Sequence, residues 1–117
     1  MRIELGHLPD PALNPNKQLH HMQLYLAKRD AKDEAMVLVL EQGRPSTPYD
    51  QAHITITWVA KDKRRRDIDN LFAAMKAYID GLVYVGLIVD DSAMHVTYTL
   101  RYERGDKDNT IIKVEEE

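Results

Sequence analysis

The apolar and polar positions of this chain change period several times, and each change marks an element. His53-Ile54-Thr55-Ile56-Thr57-Trp58-Val59 alternates strictly and is rich in β-branched residues, which predicts a strand with Ile54, Ile56 and Trp58 on its buried face. A second alternating run spans His95 to Glu103. It places Val96, Tyr98, Leu100 and Tyr102 on one face and His95, Thr97, Thr99 and Arg101 on the other. Gly105 to Asn109 reads as a turn and Thr110 to Glu115 as a final strand, so the last two strands are expected to form an antiparallel hairpin. Arg2 to Gly6 alternates briefly, and Pro9, Pro11 and Pro15 then impose an extended loop.

Helical spacing covers two stretches. From Lys17 to Gln42 the expected apolar contacts are Leu19, Met22, Leu26, Met36, Val37 and Leu40. The charged residues from Lys28 to Glu34 interrupt that stripe, and Gly43 and Pro45 end it. From Leu71 to about Val85 the spacing buries Leu71, Met75, Ile79 and Leu82 with Tyr78 on the flank, and Gly86 supplies a left-handed stop. Gly81 inside that helix is unfavourable by about 1 kcal/mol relative to alanine, which predicts close packing against a neighbouring element. The fold expected is α+β: a small, mostly antiparallel sheet of about four strands with two main helices packed on one face.

Composition narrows the class. With 117 residues, 44% hydrophobic and 30% charged, the chain reads as one globular domain over residues 1–117. Cysteine is absent, which excludes disulfides and thiolate metal sites. No apolar run reaches membrane-spanning length and no signal-peptide pattern opens the sequence, so a cytoplasmic protein without membrane contact is expected. The net charge of −3 is mildly unfavourable for a general nucleic-acid binder, but five of the six residues from Lys61 to Arg66 are basic. One basic edge is enough to hold a phosphate backbone in a salt-dependent way.

The candidate chemistry follows that edge. Arg64-Arg65-Arg66-Asp67-Ile68-Asp69-Asn70 sets three guanidinium groups before two carboxylates and an amide. Neighbouring carboxylates repel unless a cation lies between them, and Mg²⁺ takes oxygen ligands of this kind together with phosphate oxygens. The plainer reading is that Asp69 or Asn70 caps the following helix. An EF-hand is excluded, because its fifth and sixth loop positions hold Leu71 and Phe72. Asp90-Asp91 supplies a second acidic pair after the apolar run Gly86-Leu87-Ile88-Val89. A fold-back of the chain would bring all four carboxylates together. Lys76 lies seven residues after Asp69, about two helical turns or ~10.5 Å, and its long stem would lean back toward them.

Taken together, Arg64 to Leu71, Lys76, Asp80-Gly81-Leu82, Gly86 and Asp90-Asp91-Ser92 resemble the RusA-type Holliday junction resolvases, over about residues 52 to 103. The resemblance implies a homodimeric, Mg²⁺-dependent endodeoxyribonuclease that resolves four-way DNA junctions by paired nicks in recombination and repair. It places the essential carboxylates on Asp67, Asp69 and Asp91, with Asp90 beside them. Better-known members carry the helix lysine four residues after the second Asp, where this chain has Ala73; Lys76 matches through an insertion of about one turn. On this reading Asp67, Asp69, Asp90 and Asp91 hold Mg²⁺, a metal-activated water attacks phosphorus, and Lys76 steadies the scissile phosphate or leaving group. Lys17, Lys61, Lys63, Arg64, Arg65, Arg66 and Asn70 contact DNA. Two alternatives stay open at this point: a branched-DNA-binding module with weakened catalysis, and a structural subunit whose Asp cluster only holds the fold.

Overall fold

The computed structural model describes all 117 residues. In chain order it contains β1 (Arg2–Glu4), a short 3₁₀ turn (Pro11–Leu13), α1 (His21–Gln42), β2 (Ala52–Ala60), α2 (Ile68–Ala73), α3 (Lys76–Tyr84), β3 (Val96–Arg104) and β4 (Asn109–Glu116). The four strands form one mixed sheet in the order β1-β4-β2-β3, with the helices on one face, an α+β architecture as expected. No helix is long and apolar enough to cross a membrane.

β2 is the spine. Ala52, Ile54, Ile56, Trp58 and Ala60 are all buried, and the residues between them are only half-buried, so the alternation seen in the sequence is realised. On the same face Ile56 pairs with Ile112 of β4 and with Leu100 of β3. The opposite face carries His53, whose ring nitrogens lie 2.6 and 2.8 Å from the Thr97 and Thr99 hydroxyls. Trp58 is a core residue, and its indole N–H finds no acceptor. A buried donor left unpaired costs about 1–3 kcal/mol.

The expected hairpin of the last two strands does not form. β3 runs parallel to β2, the usual result when two strands are joined through a helical crossover. The 105–108 turn then steps past the end of β2: Gly105 N–H donates to the Ala60 carbonyl at 3.1 Å, and Lys61 N–H donates to Asp108 Oδ1 at 2.9 Å. β4 therefore inserts between β1 and β2, antiparallel to both, where Ile112 and Val114 are fully buried. Burial decides the order, because β3 keeps only Val96 fully buried and tolerates the sheet edge.

Two further differences concern the helices. α1 starts at His21 rather than Lys17 and is continuous, with Ala27, Ala31, Ala35 and Val39 as its buried residues. Met22, Val37 and Leu40, expected as core contacts, are half-exposed. The small side chains form a ridge at fourfold spacing that lets α1 sit close to α3. Gly81 is the reason this works: a Cβ there would stand 2.5 Å from the Lys32 carbonyl oxygen and 3.0 Å from Ala35 Cβ. The second expected helix begins earlier, at Ile68, and divides at Ala74 and Met75 into α2 and α3. Tyr78 is buried rather than flanking, with its hydroxyl accepting from Asp10 N–H at 3.2 Å, so it anchors the proline loop. Gly86, at φ +87°, ends α3 as predicted.

Candidate active site

α3 and the segment after it determine where the acidic residues meet. Beyond Gly86 the chain doubles back, because Leu87 and Ile88 are buried. Tyr49 holds them: its N–H donates to the Leu87 carbonyl at 2.9 Å, and its carbonyl accepts from Val89 N–H at 3.0 Å. A nine-residue helix is about 14 Å long, a distance that four or five extended residues cover on the return. The return delivers Asp90 and Asp91 beside Lys76, the first residue of α3. There the Lys76 ammonium donates to Asp91 Oδ2 at 2.5 Å and to Asp80 Oδ1 at 2.8 Å. Asp80 first and Asp91 second hold the Lys76 pKa above its ordinary value.

Asp91 itself is mostly enclosed, with 21% of its side chain exposed. It shares a recess of about 200 Å³ with Phe72, Ala73, Lys76, Ile79 and Tyr98. Phe72 and Tyr98 meet edge-to-face at 4.9 Å and form its apolar wall. Burial, with the Asp91 charge behind it, pushes the Tyr98 hydroxyl up to about 12. Asp90 turns away from that recess far enough to accept Asp91 N–H at 2.9 Å, and this bond holds its carboxyl below the usual range.

The first acidic pair is divided. Asp67 occupies the position before α2 in an extended conformation, but its carboxylate does not cap the helix; it pairs with Arg65 at 2.8 Å. With Arg64, Arg65, Asn70 and the Leu8–Asn14 loop it lines a separate recess of about 320 Å³. Asp69 sits exposed in the first turn of α2 and makes no ion pair. The two recesses use different residues of α2: Asn70 and Leu71 for one, Phe72 and Ala73 for the other.

The basic run is also divided. Arg66 is a structural residue: its guanidinium grips Asp62 through two bonds of 2.7 and 3.1 Å and donates to the Tyr102 hydroxyl at 3.0 Å. This contact pulls the Asp62 carboxyl down to about 2. Arg64 and Arg65 are exposed, as are Lys61 and Lys63, and Arg64 makes no ion pair. Lys17 is exposed in the turn before α1, bonded through its backbone to Asn14.

No family model matches the chain, and no curated protein is similar to it.

The expected gathering of all four carboxylates is not what this arrangement holds. No three acidic or histidine side chains cluster around a common point. Carboxylates repel one another, and here two of the four are held by cations of the chain itself, Asp67 by Arg65 and Asp91 by Lys76. The four side chains are of the type a hard divalent ion takes, carboxylate oxygens alone, and Asp69 and Asp90 are free of ion pairs, but they do not converge in this arrangement. Asp91 and Asp80 share the Lys76 ammonium instead. Asp80 pairs with Lys76 as the i, i+4 spacing on one helix face leads one to expect. The feature that sequence reasoning missed is the Phe72–Tyr98 wall, which joins residues far apart along the chain.

Proposed function

We propose that this protein is a Mg²⁺-dependent endodeoxyribonuclease that nicks branched DNA, with four-way junctions as the substrate class. The observation that carries the reading is the contact of Asp91 with Lys76, which joins the second acidic segment to the helix that follows the Arg64–Asp69 segment. Carboxylate and lysine brought together from separate segments are what hydrolysis of a polyanion uses, and the Asp91–Lys76 contact supports the reading on that ground.

Asp69, Asp90 and Asp91, with Asp67, are the residues that would hold Mg²⁺. When bound, it supplies a Lewis acid and an acidified water. Arg64 and Arg65 attract the phosphate backbone without reading sequence. Lys76 lies where its ammonium can transfer from Asp91 to a phosphate oxygen while keeping its bond to Asp80. The Phe72–Tyr98 wall flanks Lys76 and Asp91 on one side of the recess. A homodimer would supply two such sites to the two-fold symmetry of a junction.

Incubation of a labelled synthetic four-way junction with the protein tests this. Paired nicks in Mg²⁺ and none in EDTA are expected. Binding without nicks in Mg²⁺ overturns the catalytic assignment and leaves the branched-DNA-binding module, a reading favoured by the ion-paired state of Asp67 and Asp91.

A further inference from the structure

On the far side of Lys76 lies a second feature. The outer face of α1 and the α2–α3 junction enclose a cleft of about 400 Å³ lined by Tyr25, Lys28, Arg29, Lys32, Lys76 and Asp80, with alanines on its floor. Four cations face one carboxylate there, in a chain whose net charge is −3. That single carboxylate is already bonded to Lys76. Arg29 pairs only with its neighbour Asp30, both well exposed, and Lys28 makes no ion pair. Lys28 and Lys32 are one helical turn apart, a like-charge spacing that destabilises a helix. Lys32 lies over the Tyr84 ring, 4.5 Å from its centroid, and no carboxylate pairs with it, so the cluster as a whole suits a polyanion.

Two more observations say which polyanion. Tyr25 lines the cleft with 60% of the residue exposed, so its ring face is open to a stacking partner. The cleft borders the carboxylate recess, since Ala73 and Lys76 line both. An exposed aromatic among cations, next to the proposed hydrolytic site, is the pattern that binds unpaired nucleotides. Bases stack on the ring while lysines follow the backbone. Duplex DNA keeps its bases inside and would leave Tyr25 unused.

We infer that the cleft between α1 and the α2–α3 junction binds a short single-stranded DNA segment, its base on Tyr25 and its phosphates on Lys28 and Lys32, leading to Lys76 and Asp91. The identity of the polymer as DNA rests on the proposed function; the cleft chemistry does not. A junction opened at its branch point would present such a segment, so this contact selects branched over continuous duplex.

Fluorescence anisotropy with a labelled oligothymidine in EDTA tests this without any cutting. Tyr25→Ala should weaken binding about tenfold with an unchanged salt slope, and Tyr25→Phe should bind as the parent does. Lys28→Gln with Lys32→Gln should lower the salt slope by about 1.4, two single-strand phosphate contacts. Circular dichroism should show every variant folded, with Tyr25→Ala and Tyr25→Phe melting as the parent does and the double lysine variant within a few degrees of it, because relief of the Lys28–Lys32 repulsion offsets the loss of the Lys32–Tyr84 contact. Affinity unmoved by Tyr25→Ala, a parent that does not bind the oligomer, or tighter binding of a plain duplex than of the oligomer each overturns the inference. Junction nicking that persists while oligomer binding ignores these residues removes the cleft but keeps the nuclease. Oligomer binding that responds to them in a protein that never nicks does the reverse.

Discussion

Replacing Gly81 by alanine sets two effects of opposite sign against each other. Inside a helix alanine is favoured over glycine by about 1 kcal/mol, so propensity alone predicts stabilisation. Against that, the new Cβ would stand 2.5 Å from the Lys32 carbonyl oxygen, a backbone atom that no rotamer change can move. Ordinary contact needs roughly 3.5 Å, so α1 must retreat by about 1 Å. A gap of that size along the Ala27-Ala31-Ala35-Val39 ridge forfeits a quarter to a half of each contact it opens. Overpacking of this kind costs about 1–3 kcal/mol, and the tight, all-small seam puts Gly81 at the upper end. The net expectation is a loss of about 1–2 kcal/mol. That corresponds to a melting temperature lower by roughly 4–8 °C for a domain of this size. Urea titration and thermal melts followed by circular dichroism measure both quantities. A Gly81→Ala protein as stable as the parent, or more stable, would refute the claim that the α1–α3 seam is closed at the backbone.

Other substitutions separate chemistry from scaffolding. Asp91→Asn should reduce junction nicking at least 100-fold while junction binding in EDTA stays within about threefold, measured by gel shift. Lys76→Met should also cut nicking strongly, yet shift stability by under about 1 kcal/mol, because its ion pairs lie at the surface. Arg65→Ala should weaken DNA binding with no change in melting temperature. Arg66→Ala should lower the melting temperature by a few degrees, since it breaks the grip on Asp62 and Tyr102. His7 gives a pH test. Burial opposes its charge, but the Leu8 carbonyl and the Glu34 carboxylate outweigh burial and raise its pKa above 6.5. A raised folded-state value means the stabilisation is complete below the unfolded value near 6.5 and is lost as pH rises through the folded one. The pair is half-exposed, so the loss is under about 1 kcal/mol. His7→Gln should remove that slope from urea midpoints measured between pH 6 and 8.5.

What the sequence made legible was what strong local periodicity or a single backbone constraint dictates. The β2 alternation, the stop at Gly86 and the close packing implied by Gly81 all follow from two or three residues read locally. The fold-back that takes Asp91 to Lys76 follows from an apolar run too short to do anything but return along the helix. The errors have a common cause in partners distant along the chain. The ridge of α1 that faces Gly81 is alanine, so the large apolar side chains Met22, Val37 and Leu40 do not mark its buried face. A five-residue turn closes a hairpin or steps past a neighbouring strand equally well, and the choice rests with Ile112 and Val114 needing burial on both sides. Three consecutive arginines look alike in sequence, yet only Arg66 has Asp62 and Tyr102 within reach. The sequence leads one to expect the carboxylates to converge as a group, whereas Asp67 pairs with Arg65, Asp91 with Lys76, and Asp69 and Asp90 make no ion pair.

The proposed nuclease requires Asp69 and Asp91, from separate segments, to serve one divalent ion beside DNA. Titration of Mn²⁺ into the protein with a non-cleavable junction, with free ion followed by electron paramagnetic resonance, measures that directly. Asp69→Asn and Asp91→Asn should each weaken binding at least tenfold, and the double variant should be no weaker than the worse single one. Additive losses, or a parent protein that leaves the Mn²⁺ signal unchanged, would contradict the shared site.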